Sequence, residues 1–482
     1  MTEKLSWEKL LSSERERPSS RKIQQKDSII ARNEFEADYD RIIGSSSVRR
    51  LQDKAQVFPL QENDVARTRL THSIEVSALA RSLGKAIGKQ LEKRREFTSE
   101  QTEELAALLQ VSGLIHDLGN PPFGHYGEDV IRNWFNAWFE SNPILQTHNI
   151  VLSEQEQYDF RYFDGNVQNL RIVSKLQTQN DIYGANFTFA TLGTIMKYPW
   201  QSNQCPDGKT KFGYFKAESA LAQKVRAALG LNEFVRHPAT YLLEAADDII
   251  YLCDDIEDGV KKGYIDWPKE FDNLISNLEA SHNLTPELSA LFDEINNKAI
   301  DPQMDQADRA TAQVRNFRNY VQSFLFQKTI KEFLNRYDDI MSNNYAQVKG
   351  LELLGCESAL IHELKQITAK NCFSCQEVIT LELEGHKVIS TLLDIFVPNL
   401  IESTGDNLSK PKTYPGKLFR LISSNFTYVA LHPHSAESNK LKDQINQLSA
   451  YERLLLITDF ISGMTDSYAV DIYQKLTGIK HP

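Results

Sequence analysis

Three short stretches carry side chains that could do chemistry together. Residues 111–125 read VSGLIHDLGNPPFGH, which sets His116 beside Asp117 and then, after Asn-Pro-Pro-Phe-Gly, places His125. Upstream, THSIEV holds His72; downstream, EAADDIIYLCDDIEDG holds a run of carboxylates from Glu244 to Asp258. An α-helix turns about 100° per residue, so positions eleven apart share one azimuth. His116 follows Leu105 by eleven and falls on the apolar stripe Leu105, Leu108, Leu109, Ser112, Ile115. His72 precedes Leu83 by eleven and shares the stripe of Val76, Leu79, Leu83 and Ile87. Two imidazoles therefore point from helix faces into an interior. Taken singly, each fits a hydrogen-bonded core histidine as well as it fits a ligand. Asp117 shifts that balance, because a carboxylate near the buried side is costly unless it meets a cation. A divalent ion would neutralise it and use both imidazoles. Nitrogen and oxygen ligands without thiolate suit Mn²⁺, Fe²⁺, Co²⁺ or, less strongly, Mg²⁺.

A second carboxylate would balance such an ion better. In EAADDIIYLCDDIEDG the stripe Ala246, Ile249, Cys253, Ile256 leaves Glu244, Asp247, Asp248, Tyr251, Asp255 and Asp258 mostly to one side. That side reads as a solvated acidic face, or in part as one turned towards another helix. Ala245 and Ala246 permit a close approach, and Tyr251 lies one turn after Asp247.

The elements that hold these groups are helices. The i, i+3, i+4 rhythm recurs along most of the chain, so the expected fold class is all-α. We expect a polar N-terminal arm over 1–30, a helical catalytic core over 31–270 and a helical C-terminal region over 271–482 packed on it. FTYVALH at 426–432 is one of the few strand signals, and loops are expected around 118–127, 141–150 and 199–215. The 482 residues carry a net charge of −11, which does not favour polyanions globally. Phosphate must then be held by local cations or a metal. No apolar run approaches the roughly 20 residues that cross a bilayer, and the charged N-terminus lacks a signal core. The expectation is a cytoplasmic protein without a membrane partner. Cys372-Phe-Ser-Cys375 has no second pair at zinc-site spacing and reads as reduced thiols.

His72, the pair His116-Asp117 and a distant aspartate resemble the H…HD…D pattern of HD-domain metal-dependent phosphohydrolases. The surrounding blocks are more specific. RIIGSSSVRRLQDKAQVFPL, RTRLTHSIEV, GLIHDLGNPPFGHYGE, FDGNVQNLRI, LGTIMKYPW, YLLEAADDIIYLCDDIEDG and ITDFISGMTDSYA all resemble bacterial deoxyguanosine triphosphate triphosphohydrolases. They run from about residue 38 to 470 in the family's order. An HD-type cyclic dinucleotide phosphodiesterase lacks support, since no GYP signature follows the HD pair. An alarmone hydrolase leaves NPPFGH and KYPW unexplained.

The resemblance implies an HD-domain helical core and hydrolysis of dGTP to deoxyguanosine and triphosphate. It implies one divalent ion, Mg²⁺ or Mn²⁺ with Fe²⁺ or Co²⁺ as alternatives, on His72, His116, Asp117 and Asp247. Asp247 is preferred to Asp248 because the family's ligand stands one turn before a tyrosine, here Tyr251. The pair His125 and Glu128 is implied in proton transfer. Arg69 and Lys211, with Tyr214 nearby, are the implied phosphate contacts; Arg67 is a weaker one. Gln56, Tyr251 and Asp255 match residues around the deoxyribose. Asn166, Gln168 and Arg171 either face the pocket or brace helices. Family members are often homo-oligomers, hexamer or tetramer, and some respond to an allosteric nucleotide or single-stranded DNA; Lys417 and Arg420 could serve such a contact. A broader deoxynucleoside triphosphate hydrolase and a non-catalytic nucleotide sensor remain as alternatives.

Overall fold

The computed structural model describes residues 4–17, 32–58, 67–141, 151–177, 181–435 and 438–479. Among them the chain is helical and forms no strand; extended pairing is limited to isolated bridges such as Ala55 with Thr68. The all-α expectation holds.

Two long helices form the floor of the site. Arg69–Lys93 begins at Thr68 and Ser99–Ile115 at Thr98, each threonine closing a reciprocal capping box with the third helical residue. Gly88 faces Thr102 and Gly113 faces Ser77, so the helices run antiparallel. The backbones come closest at Gly113, where a Cβ would lie 2.7 Å from the Ser77 Cα. That close approach, just before His116, brings the ends carrying the two histidines together. Leu83, Ile87, Leu105, Leu108 and Leu109 are all fully buried between them and their neighbours.

The helix Pro238–Lys261 crosses both of these and is in turn covered by Gln306–Asn335 and Ser358–Thr368. Proline at its first turn suits a position whose N–H has no helical partner. Every residue from Leu252 to Val260 is buried. The solvated reading of the acidic face is thereby corrected over Asp254–Asp258, because helices from both sides enclose it.

The C-terminal helices Ala450–Ser462 and Asp466–Leu476 both pack on Gln376–Glu402, which also packs on Gly124–Ser141. The strand expected at FTYVALH is a helix, Ser424–Leu431. Phe426 and Leu431 bury against neighbours including Ala450–Ser462, and this packing overrides the β propensity of Phe-Thr-Tyr-Val. Of the stretch read as an arm, residues 4–17 are seated on the core: Leu5, Trp7, Leu10 and Leu11 are buried, and the Trp7 indole donates to the Tyr337 hydroxyl. The loop expected at 141–150 lies almost wholly outside the described residues. No described helix is long and apolar enough to cross a membrane.

Candidate metal centre and substrate cleft

His116 occupies the C-terminal end of Ser99–Ile115, where the backbone is still helical and Asp117 is freed to turn. Its Nδ1–H donates to the Gly113 carbonyl at 2.7 Å, which leaves Nε2 facing inward. His72, fully buried in the neighbouring helix, lies with its ring centroid 5.3 Å from that of His116. Ligand atoms of His72, His116 and Asp117 all fall within 4.8 Å of one another. Asp247 joins them from the third helix: its Oδ1 is 3.1 Å from His72 Nε2 and 3.5 Å from His116 Nε2.

The residues fit a divalent ion on two counts. His116 Nε2 is buried and lacks a hydrogen-bond partner. The charges also ask for a cation. Despite burial, which lowers it, Asp117 and Asp247 push His116 up to about 9. Despite burial, which raises them, the imidazoles hold Asp117 and Asp247 well below the usual carboxylate range, with Arg69 adding to the effect on Asp117. A proton and a divalent ion therefore compete for one place.

Asp117 is held from behind. Arg69 Nη1 donates to its Oδ2 at 2.6 Å and Asn120 Nδ2 to its Oδ1 at 2.7 Å. Arg69 Nε is buried and retains an unused donor. The guanidinium fits because residue 124 is glycine, where a Cβ would lie 2.7 Å from Arg69 Nη2 and where φ is +60°.

His125 opens the helix Gly124–Ser141 and is 84% exposed. Its Nδ1 is 3.6 Å from Glu128 Oε2, and the Glu128 carboxylate raises its pKa. Glu128 itself is buried and fixed by the Gly165 N–H at 2.9 Å.

A small cleft opens beside His116 and Asp247, with Asn166, Lys197 and Glu244 on its walls. Lys197 Nζ pairs with Glu244 Oε1 at 3.1 Å, while Arg236 holds the other oxygen at 2.8 Å. Lys197 lies in LGTIMKYPW, where nothing in the sequence marks it, because one lysine beside an aromatic looks like another. Lys211, the cation singled out instead, is exposed, and its backbone carbonyl accepts from the Trp200 indole. Tyr214 is buried, with its phenol against Gln201. Among the described residues, the polar contacts of Lys211 and Tyr214 do not reach His72, His116, Asp117 or Asp247.

The remaining candidates divide. Tyr251 is half-buried, with Lys365 Nζ 5.8 Å from its ring centre. Asp255 is buried, and burial together with Asp258 pushes it up to about 8. Gln56 is half-buried, with its Oε1 buried and unpartnered. Asn166 lines the cleft, whereas Gln168 and Arg171 turn to Asp459, so the two readings of that segment each hold for part of it. Arg67 points away from the cleft, into Asp254, Glu257 and Asp258. Lys417 and Arg420 are exposed on the helix Tyr414–Leu421. Cys372 and Cys375 are free thiols.

Comparison with known proteins gives the family. The HD domain family matches residues 69–164, and the phosphohydrolase-associated domain matches residues 416–475. A deoxyguanosinetriphosphate triphosphohydrolase-like protein of Listeria monocytogenes is 36% identical over 98% of this chain and 100% of its own length. A protein of the same description from Synechocystis is 32% identical, again over 98% of this chain and 100% of its own. The deoxyguanosinetriphosphate triphosphohydrolase of Serratia proteamaculans is 31% identical over 96% of this chain and 97% of its own. With histidines and aspartates converging from three helices as a metal-dependent hydrolase requires, the chain belongs to the deoxyguanosinetriphosphate triphosphohydrolase family of HD-domain proteins.

Proposed function

We propose that this enzyme hydrolyses dGTP to deoxyguanosine and inorganic triphosphate, with His72, His116, Asp117 and Asp247 holding one divalent ion, Mg²⁺ or Mn²⁺. The observation that carries the reading is the meeting of that four-residue cluster with a cleft that also contains a lysine. When bound, the ion supplies Lewis acidity towards the α-phosphate. The protein's own groups do the rest. Lys197 and Arg69 answer the phosphate charge, Arg69 through the donors that Asp117 leaves free. Lys197 takes the role that the sequence suggested for Lys211. Tyr251 packs beneath the deoxyribose, Asp255 meets its 3′-hydroxyl, and Gln56 offers its unpartnered oxygen to the same end of the nucleotide. His125, oriented by Glu128, exchanges a proton with water or with the departing 5′-oxygen.

Names of relatives support the substrate, since proteins from Serratia and Yersinia are called deoxyguanosinetriphosphate triphosphohydrolases. Purified protein with Mn²⁺ should release tripolyphosphate from dGTP, and more slowly from dATP and GTP. Equal rates on dGTP and dATP would replace the reading with a broad deoxynucleoside triphosphate hydrolase. Tight nucleotide binding without any release would replace it with a sensor.

A further inference from the structure

The turn between Asp117 and His125 has an unusual backbone. Phe123 and Gly124 are both left-handed, with φ of 62° and 60°, and Phe123 is a residue whose Cβ opposes that conformation. Something must hold it there, and the partners come from far along the chain. Asp466 Oδ1 accepts the Phe123 N–H at 2.9 Å, while its Oδ2 accepts the Ala55 N–H at 2.9 Å. Lys54 Nζ donates to the Asn120 carbonyl and, at 3.1 Å, to the carbonyl of Ser462, at the end of Ala450–Ser462. The Lys54 carbonyl in turn accepts the Arg69 N–H at 3.0 Å, at the start of the His72 helix. Lys54 is 3% exposed and Asp466 1%. The Phe123 ring sits where residue 385 is glycine; a Cβ there would lie 2.7 Å from its Cγ.

A buried lysine and a buried aspartate are a poor way to gain stability alone, because apolar residues of similar volume do as well. Here each charged group instead joins the turn to a second segment, and Asn120 at the turn's start orients Asp117. Ser462 and Asp466 both lie inside the matched phosphohydrolase-associated domain, so this contact gives that region a physical task at the active site.

We propose that Lys54 and Asp466 are positioning residues: they clamp the Asn120–Gly124 turn to the C-terminal helices and so set where His125 stands relative to Asp117. The role assigned to His125 rests on the proposed reaction; the clamp itself does not. The test uses the full-length chain carrying Asp466→Asn or, should that fail to fold, Lys54→Met. Hydrogen exchange of the peptide spanning 118–127 should speed up, while peptides within 105–112 keep wild-type protection. The kcat on dGTP should fall about 100-fold at saturating Mn²⁺, as expected for a misplaced catalytic group, with KM unchanged and Mn²⁺ affinity weakened by no more than about tenfold through Asn120. Unchanged exchange at 118–127 overturns the clamp. So does unchanged kcat once those amides are released, and so does a loss of protection everywhere with kcat, KM and metal affinity failing together. The exchange arm needs no substrate. A wild-type protein inert towards dGTP would therefore sink the substrate reading and leave the clamp to stand or fall on exchange.

Discussion

Two clusters of charge lie about two turns apart on the helix Pro238–Lys261, and they behave in opposite ways. In the lower one Arg67 reaches Glu75 at 3.1 Å, Asp254 at 3.2 Å and Glu257 at 2.8 Å, and also meets Asp258. Arg318 and Lys261 add further cations to Glu257 at 2.6 and 2.8 Å. Each of these carboxylates lies within ion-pair distance of a guanidinium. In the upper cluster Asp117 and Asp247 have one arginine between them, and it binds only Asp117. Two imidazoles complete the set, each with a buried nitrogen that has no hydrogen-bond partner. The same residue types on the same helix thus build an ion-paired brace at one end, in which Asp254 still keeps an oxygen without a hydrogen bond, and a site with a single arginine at the other. What separates structure from function here is whether the protein supplies the balancing charge.

Removing a residue from each cluster should show this. Asp117→Ala should lose at least about 100-fold in Mn²⁺ affinity by calorimetry, and turnover with it, because the ion loses a charged ligand. Wild-type affinity in that variant would break the assignment of the upper cluster. Arg67→Met should do the reverse. It strands buried carboxylates and should lower stability by about 3–5 kcal/mol in denaturant titrations, while the folded fraction still binds metal. Asp247→Asn sharpens the contrast: it should remove most of the rise in melting temperature that Mn²⁺ gives the wild type, because the carboxylate that the imidazoles hold ionised is gone.

The sequence showed one end of that helix more clearly than the other. His72 and His116 were legible because helical periodicity places them on buried stripes, and Asp117 because a carboxylate there needs an explanation. The family resemblance brought Asp247 forward from a crowd of neighbours. The lower cluster was not legible, because its cations, Arg67 and Arg318, come from separate elements, and a run of acids looks the same whether bathed or enclosed. Lys197 is hidden in the sequence for a related reason: whether a lysine lines a cleft or faces solvent depends on tertiary placement. FTYVALH reads as a strand because seven residues in isolation carry too little period to choose between helix and strand. Lys54 and Asp466 act across more than four hundred residues, a pairing no local pattern encodes.

Smaller effects test how the cleft uses its own cations. Lys197→Met should raise KM for dGTP roughly tenfold, the weight of one charge-assisted hydrogen bond, with metal affinity intact. Lys211→Ala should leave KM alone. If the two results were exchanged, the phosphates would lie on the other side of the loop that carries Lys211.

The smallest effect expected is a shift in pH dependence, and its direction carries the mechanism. Glu128 stabilises the His125 imidazolium and so raises its pKa. Glu128→Gln removes that stabilisation and should move the histidine's titration to lower pH. The shift is modest because His125 is largely exposed, where solvent screens its partner. If His125 gives a proton to the departing 5′-oxygen, the active form is the imidazolium, and rate falls as pH rises through its pKa. The alkaline limb of the kcat profile would then slide to lower pH in the variant. If His125 takes a proton from water, the neutral form is active, and the acid limb slides instead. Profiles of wild type and Glu128→Gln at saturating Mn²⁺ separate the two, because the remaining limb stays fixed. A variant profile that overlays wild type on both limbs would mean that this pair moves no proton in the step that limits turnover.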